Sequence, residues 1–216
     1  MKICLLNTYD QEGGAARACR RLYHGLSQQA HEVRFLVRER TGDDASIVTF
    51  GCSMIGTLGA LLDERMLHQY GQRERHNFSS AKCLASAIRK ASGLAPEVLH
   101  LHWVPKGFVR IEDLHGVAMP IVWTLHDSWP FTGGCHLPGD CNGYRKECGA
   151  CPVLGSAVEN DLSRQVWQRK KKSYPLDRIT IVAPSNWMAE KVRSSSLLGD
   201  CPVEIIPNAL DTTLYS

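Results

Sequence analysis

The sequence predicts an α/β fold organised as a doubly wound parallel sheet. Short apolar runs recur along the chain, at residues 2–8, 33–37, 47–50, 98–101, 121–125, 179–183 and 203–206. Each has strand length and no helical period. Helical patterns or long connections separate most of them, as parallel strands require. Polar or glycine-bearing clusters follow several runs, and in an open parallel sheet the carboxyl ends of the strands share the edge where ligands bind.

The first run, KICLLNT, ends at the turn YDQEGG (9–14). Ala15, Ala18, Cys19, Leu22 and Leu26 then fall on one face of a helix that stops between Gly25 and Gln29. Residues 33–37 return as a strand, completing a βαβ unit. Residues 47–50 make a short strand. Residues 54–70 and 79–92 read as helices, the second from Leu84, Ile88 and Ala91, with polar GQRERHNF (71–78) between them. Pro96 introduces the strand that ends in His102-Trp103. Residues 111–116 make a short helix at most, and 121–125 the next strand. A Cys-rich loop at 131–155 precedes a helix over 159–173 that halts before Pro175. After the strand at 179–183, Ser185 is placed to N-cap a helix running through Val192, with Met188 and Val192 on its apolar face. Pro207-Asn208 break the last strand. No repeat or low-complexity linker intervenes, so residues 1–216 are expected to form one domain.

The composition, 44% hydrophobic and 22% charged, is that of an ordinary soluble globular protein. No run approaches the ~18 apolar residues of a membrane span. MKICLLNTYD lacks the apolar core and cleavage site of a secretory signal, so a cytoplasmic protein is expected. A net charge of +3 is too small to indicate a nucleic-acid partner. Arg164, Arg169, Lys170, Lys171, Lys172 and Arg178 crowd one segment, read either as a solvated helix face or as a patch for anionic lipid or phosphate. On the second reading, peripheral contact with the inner membrane runs through residues 164–178.

Five strand-end clusters carry the candidate chemistry. Gly13-Gly14 open a helix after the first strand, where backbone N–H groups and the helix dipole favour an anion such as phosphate. Arg17 follows within a turn, either reaching that anion or lying on the surface. His102-Trp103 and His126-Asp127-Ser128-Trp129 end two central strands. His126 can donate to a diphosphate or a sugar hydroxyl while neutral; a structurally hydrogen-bonded histidine is the alternative. Trp103 and Trp129 offer flat faces for a sugar or lipid, or else pack in the core. Ser185 and Asn208 complete the edge. His126 and Asp127 are the candidate catalytic pair.

Nine cysteines argue against a fully paired disulfide framework. Cys4, Cys19, Cys52, Cys83 and Cys201 read as small buried hydrophobes. The other four form Cys135-x5-Cys141-x6-Cys148-x2-Cys151, a spacing suited to one tetrahedral zinc, with His136 able to replace a ligand. Such a zinc would be structural, since four thiolates leave no open position, and would clamp a long loop with little apolar content. Disulfides, free thiols or an iron–sulfur cluster are the alternatives.

NTYDQEGGAARACRRLYHGL, HLHW, TLHDSWPFTGGCH, CGACP, VAPSNWMAEKV and IPNALD together resemble the N-terminal domain of bacterial family 4 glycosyltransferases. The resemblance implies a Rossmann-like domain, the N-terminal half of a GT-B architecture, and membership of an exopolysaccharide, O-antigen or colanic-acid subset. It implies a retaining transferase that needs no catalytic metal. A sugar moves from a nucleotide-sugar donor to a carbohydrate or lipid-linked acceptor, which this half binds. Gly13 and Gly14 would face the donor diphosphate or transferred sugar, His126 the sugar or its departing phosphate, and Ser185 and Asn208 the cleft near the hinge. The family's Glu-x7-Glu element and C-terminal nucleotide-sugar domain are absent from these 216 residues, and Ala209 replaces a glycine usual after that Asn. The chain alone is therefore expected to bind nucleotide sugar poorly and to be inactive or incomplete. The competing expectation is a non-catalytic sugar- or lipid-binding module, or a truncated relic, with structural zinc.

Overall fold

The computed structural model describes residues 1–50, 53–71, 73–74, 77–80, 82–83 and 87–210. Cys52, Leu84 and the end of the chain from Asp211 lie outside them. Seven strands form one parallel sheet: β1 (Lys2–Tyr9), β2 (Glu32–Glu39), β3 (Val48–Thr49), β4 (Val98–Leu101), β5 (Ile121–Thr124), β6 (Ile179–Ala183) and β7 (Val203–Ile205). Their order is β3-β2-β1-β4-β5-β6-β7. The helices are α1 (Gly13–Gln28), α2 (Ser53–Leu67), α3 (Ala87–Gly93), α4 (Leu162–Ser173) and α5 (Asn186–Arg193). This is the expected α/β doubly wound sheet, with every expected strand in place.

Both faces of the sheet are covered, which is why its central strands are nearly continuously apolar. Ile3 and Leu5 of β1 pack with Cys19 and Tyr23 of α1, while Cys4 and Leu6 point into the larger core on the other face. The chain runs outward from β1 to β3, then returns to place β4 on the other side of β1. That reversal opens a crevice between the β1 and β4 carboxyl ends. Gly13-Gly14 stand on one side of it and His102-Trp103 on the other.

Three expectations need correction. The helix predicted over 79–92 is confined, among the described residues, to Ala87–Gly93. Phe78 instead bridges to Cys135, and the Ser79 N–H donates to the Gly134 carbonyl at 2.9 Å. Loop pairing has displaced local helix propensity there. The helix predicted from residue 159 starts at Leu162, because the Asp161 carboxylate caps it by accepting from the Ser163 and Arg164 N–H groups.

The third correction concerns the basic segment, whose charges are largely engaged within the protein. Arg164 pairs with Glu147 and with Glu159, and Arg169 with Glu112 at 2.7 Å. Arg178 donates to the Val117 carbonyl at 2.6 Å, and Lys170 is fully buried. Lys171 and Lys172 are exposed. A contiguous lipid-facing patch over 164–178 is therefore not formed. No helix among the described residues is long and apolar enough to cross a membrane.

Candidate functional site

The carboxyl edge of the sheet carries two cavities that meet at Trp103 and Asp127. One, of about 380 Å³, is bordered by Asn7, Glu12, Gly13, Gly14, Trp103 and His126. The other, of about 710 Å³, lies between α2 and the loop after β5 and includes Ser79, Trp103, Asp127 and His136. Gly13 adopts φ +85°, a left-handed conformation that disfavours a side chain, so the chain can turn directly into α1 there. The first N–H groups of α1 thereby border the smaller cavity, a favourable setting for an anion.

His126 sits at the end of a histidine ladder. His100 and His102 stack with ring centroids 4.5 Å apart, and His102 and His126 at 5.2 Å. His102 Nδ1 and His126 Nε2 are 2.9 Å apart, a single hydrogen bond. His100 Nε2 meets Thr124 Oγ1 at 2.9 Å, and His102 Nε2 is buried without a partner. Burial lowers the His126 pKa to about 4, the adjacent Asp127 carboxylate opposing the shift. Burial likewise lowers His100 to about 4 and holds His102 well below the usual histidine range. The ladder is neutral near pH 7, so His126 offers its remaining ring nitrogen as a neutral group.

Asp127 accepts three hydrogen bonds. Its Oδ2 accepts from Trp103 Nε1 and His136 Nδ1, each at 2.7 Å, and its Oδ1 accepts from the Trp129 N–H at 2.9 Å. Three donors on one carboxylate make it an organiser of the two cavities' shared wall. His136 Nε2 in turn meets Ser79 Oγ at 3.0 Å. The chain Asp127–His136–Ser79 joins three places that no sequence pattern links: Ser79 falls in the helix expected over 79–92, and His136 is expected only as a possible replacement for one cysteine ligand.

The remaining candidates divide. Trp103 forms the wall between the cavities, stacked on Tyr9 at 6.0 Å. Trp129 is buried; its Nε1 donates to the Ser79 carbonyl at 2.8 Å, and its ring is covered by Lys170 at 3.7 Å. Its flat face therefore packs in the core. Ser128 is also buried. Ser185 is exposed and caps α5, accepting from the Met188 N–H at 3.2 Å. Arg17 is exposed on α1, and Asn208 is exposed beyond β7, where the Arg21 guanidinium reaches the neighbouring Ala209 carbonyl at 3.2 Å.

Cys135, Cys141, Cys148 and Cys151 border one small void, each as a free thiol. Among the described residues, no group of three or more His, Cys, Asp or Glu is arranged to hold a metal. The expected structural zinc is thus unsupported, and His136 is already bound to Asp127. Hydrogen bonds visibly hold the loop. Lys170 Nζ donates to the Trp129 and Thr132 carbonyls, and the Arg164 guanidinium to the Cys148 carbonyl. Thr132 Oγ1 donates to the Cys135 carbonyl at 2.7 Å, and Asp161 Oδ2 accepts from the Cys151 N–H at 2.8 Å. Burial raises the Cys135 thiol to about 12 and Cys148 to about 11, which favours the protonated form.

A helix N-terminus, a neutral histidine and an aromatic side chain meet at the switch point of a parallel sheet, the place where open α/β sheets bind ligands. The comparisons are more specific. A model of Glycosyltransferase Family 4 matches residues 12–214, and the chain belongs to that family. Its fold is that expected for the N-terminal half of a GT-B enzyme. The chain is also 24% identical over 230 residues to the putative colanic acid biosynthesis glycosyl transferase WcaC of Escherichia coli (strain K12). The alignment covers 98% of this chain and 55% of that relative, so the chain spans about half the relative's length.

Proposed function

We propose that this chain forms the acceptor-binding half of a glycosyltransferase of surface-polysaccharide synthesis. In this reading a sugar passes from a nucleotide-sugar donor to a carbohydrate or lipid-linked acceptor. The observation that carries it is the pair of cavities meeting at one wall, Trp103 and Asp127, on the carboxyl edge of the sheet. A transferase needs two substrates side by side, and this arrangement provides two compartments with a common boundary. Family membership and the likeness to a protein named for colanic acid biosynthesis support the class of reaction.

The smaller cavity serves the donor. The α1 N-terminus meets the diphosphate or transferred sugar, and His126 donates to the sugar or the departing phosphate from its free ring nitrogen. Because the ladder disfavours imidazolium, His126 acts as a hydrogen-bonding group. A bound phosphate would raise its pKa through the nearby negative charge. Asp127 positions His136 and Trp103. Retention of anomeric configuration follows from the family resemblance. A nucleotide-sugar domain supplied beyond these residues would complete the cleft.

The test is transfer of labelled sugar from a panel of nucleotide sugars into the glycan and lipid fractions, using the protein expressed from its intact gene. Donor-dependent incorporation is expected, with the product anomer matching the donor. Binding of a glycan with no transfer from any donor would favour the non-catalytic module instead.

A further inference from the structure

Lys170 stands apart from the rest of the basic segment. It belongs to α4, where Arg164 and Arg169 pair with glutamates, yet it is fully buried. Its Nζ donates to the Trp129 carbonyl and, at 3.0 Å, to the Thr132 carbonyl, and it stands 3.7 Å from the Trp129 ring centroid. Two carbonyls and a ring face use all three hydrogens of an ammonium. Such neutral partners return only part of the cost of taking a charge out of water. A lysine is therefore a costly residue with which to fill this space.

Trp129 connects Lys170 to the wall between the two cavities. Its N–H donates to Asp127 Oδ1 at 2.9 Å and its indole N–H to the Ser79 carbonyl at 2.8 Å. Asp127 Oδ2 in turn accepts from Trp103 Nε1 at 2.7 Å. The main chain of one residue thus meets Asp127 on one side and Lys170 on the other. Further contacts of the Trp129 carbonyl, from the Thr132 N–H and hydroxyl, are long at 3.4 Å. The Ser128 N–H donates to the His136 carbonyl at 2.9 Å, so the loop is closed at its base and Lys170 reaches into its interior. The Asp127 carboxylate is also among the charges that favour the Lys170 ammonium. Contact and charge link the same two residues.

We propose that Lys170 is a positioning residue for the transfer site: its grip on the Trp129 and Thr132 carbonyls sets the Trp129 main chain that holds Asp127, and through Asp127 the Trp103 wall. The proposal rests on the reading of that wall as the boundary between the two substrates. Lys170 lines neither cavity, so it acts through Trp129. The competing reading is a plain loop anchor, and Tyr174 supplies the comparison. Its hydroxyl donates to the Pro130 carbonyl at 3.0 Å, in the same loop. Proline has no N–H with which to pass that contact on.

The experiment compares Lys170→Met with Tyr174→Phe, each in the 15N- and 13C-labelled protein expressed from its intact gene. The Trp103 indole N–H signal reports the bond to Asp127. Lys170→Met should move that signal upfield as the bond lengthens. It should also lower kcat for sugar transfer by about tenfold or more, with KM within about twofold of wild type. Tyr174→Phe should leave the signal, kcat and KM near wild type. A second measurement needs no substitution: in the wild type, scalar coupling across the hydrogen bonds should connect Lys170 15Nζ to the Trp129 and Thr132 carbonyl carbons. Four results would overturn the proposal: an unmoved Trp103 signal in folded Lys170→Met, an equal shift in Tyr174→Phe, no coupling from Lys170 Nζ in the wild type, or unchanged kcat in Lys170→Met. Any of these with wild-type transfer intact leaves the reading of the two cavities standing. Transfer absent from the wild type removes that reading, and the proposal with it.

Discussion

Acidification should unfold this protein through its histidine ladder. Burial keeps His100 and His126 at pKa values of about 4 and His102 well below the normal range. In the unfolded chain each returns to about 6.5. The folded values are depressed, so this stability is fully present above the unfolded pKa and is lost as pH falls toward the folded one. Each histidine contributes a slope of about 1.4 kcal/mol per pH unit in that window, so three give roughly 4 kcal/mol per unit. From about pH 6.5, where the unfolded imidazoles are only half protonated, to about pH 5 the loss is roughly 5 kcal/mol, comparable with the whole stability of a marginal domain. The assay is urea unfolding followed by tryptophan fluorescence across that range. His100→Gln can keep a hydrogen bond to Thr124 Oγ1 but cannot titrate, so it should lower the ladder's slope by about a third. Equal pH slopes in wild type and variant would refute the assignment.

Other expectations follow from the loop and its supports. Asp161→Ala removes the α4 cap and the Cys151 N–H acceptor, and should lower stability by about 1–2 kcal/mol in urea unfolding. Gly149→Ala places a Cβ 2.3 Å from the Glu159 carbonyl oxygen at φ +155°, and should destabilise by about 1–3 kcal/mol, measured as a lower Tm. Burial lowers the Lys170 pKa to about 7, with Cys135, Cys148 and Asp127 opposing and Arg169 assisting. Its contribution to stability therefore rises with pH between about 7 and its ordinary value near 10.4, by ~1.4 kcal/mol per unit. Lys170→Met should abolish that rise in alkaline denaturant titrations.

The strands were legible because a sheet covered on both faces needs nearly unbroken apolar runs, and KICLLNT and ITIVA are such runs. The convergence at the carboxyl edge was legible for a related reason: Gly13-Gly14, His102-Trp103 and His126 each follow a strand, and parallel topology brings strand ends together. Lys170 was harder to read. It belongs to an RKKK run that reads as solvated surface, yet its Nζ lies between two carbonyls and the Trp129 ring. Only the tertiary path of the 129–136 loop supplies those partners. The pairing of Ser79 with His136 was not legible for the same reason: the Phe78–Cys135 bridge that brings them together leaves no periodic trace in sequence. The cysteine spacing suggested a metal clamp, whereas the visible restraints on the loop are Lys170, Arg164, Asp161 and Thr132.

The most direct test of the account is the effect of His126→Ala on sugar transfer by the protein expressed from its intact gene, with the exposed Trp187→Ala as reference. Losing a hydrogen bond to the sugar or departing phosphate at the reacting centre should lower kcat/KM by about 10²-fold or more, while Trp187→Ala stays near wild type. Circular dichroism should show both variants folded. A folded His126→Ala protein that transfers sugar at the wild-type rate would contradict the account.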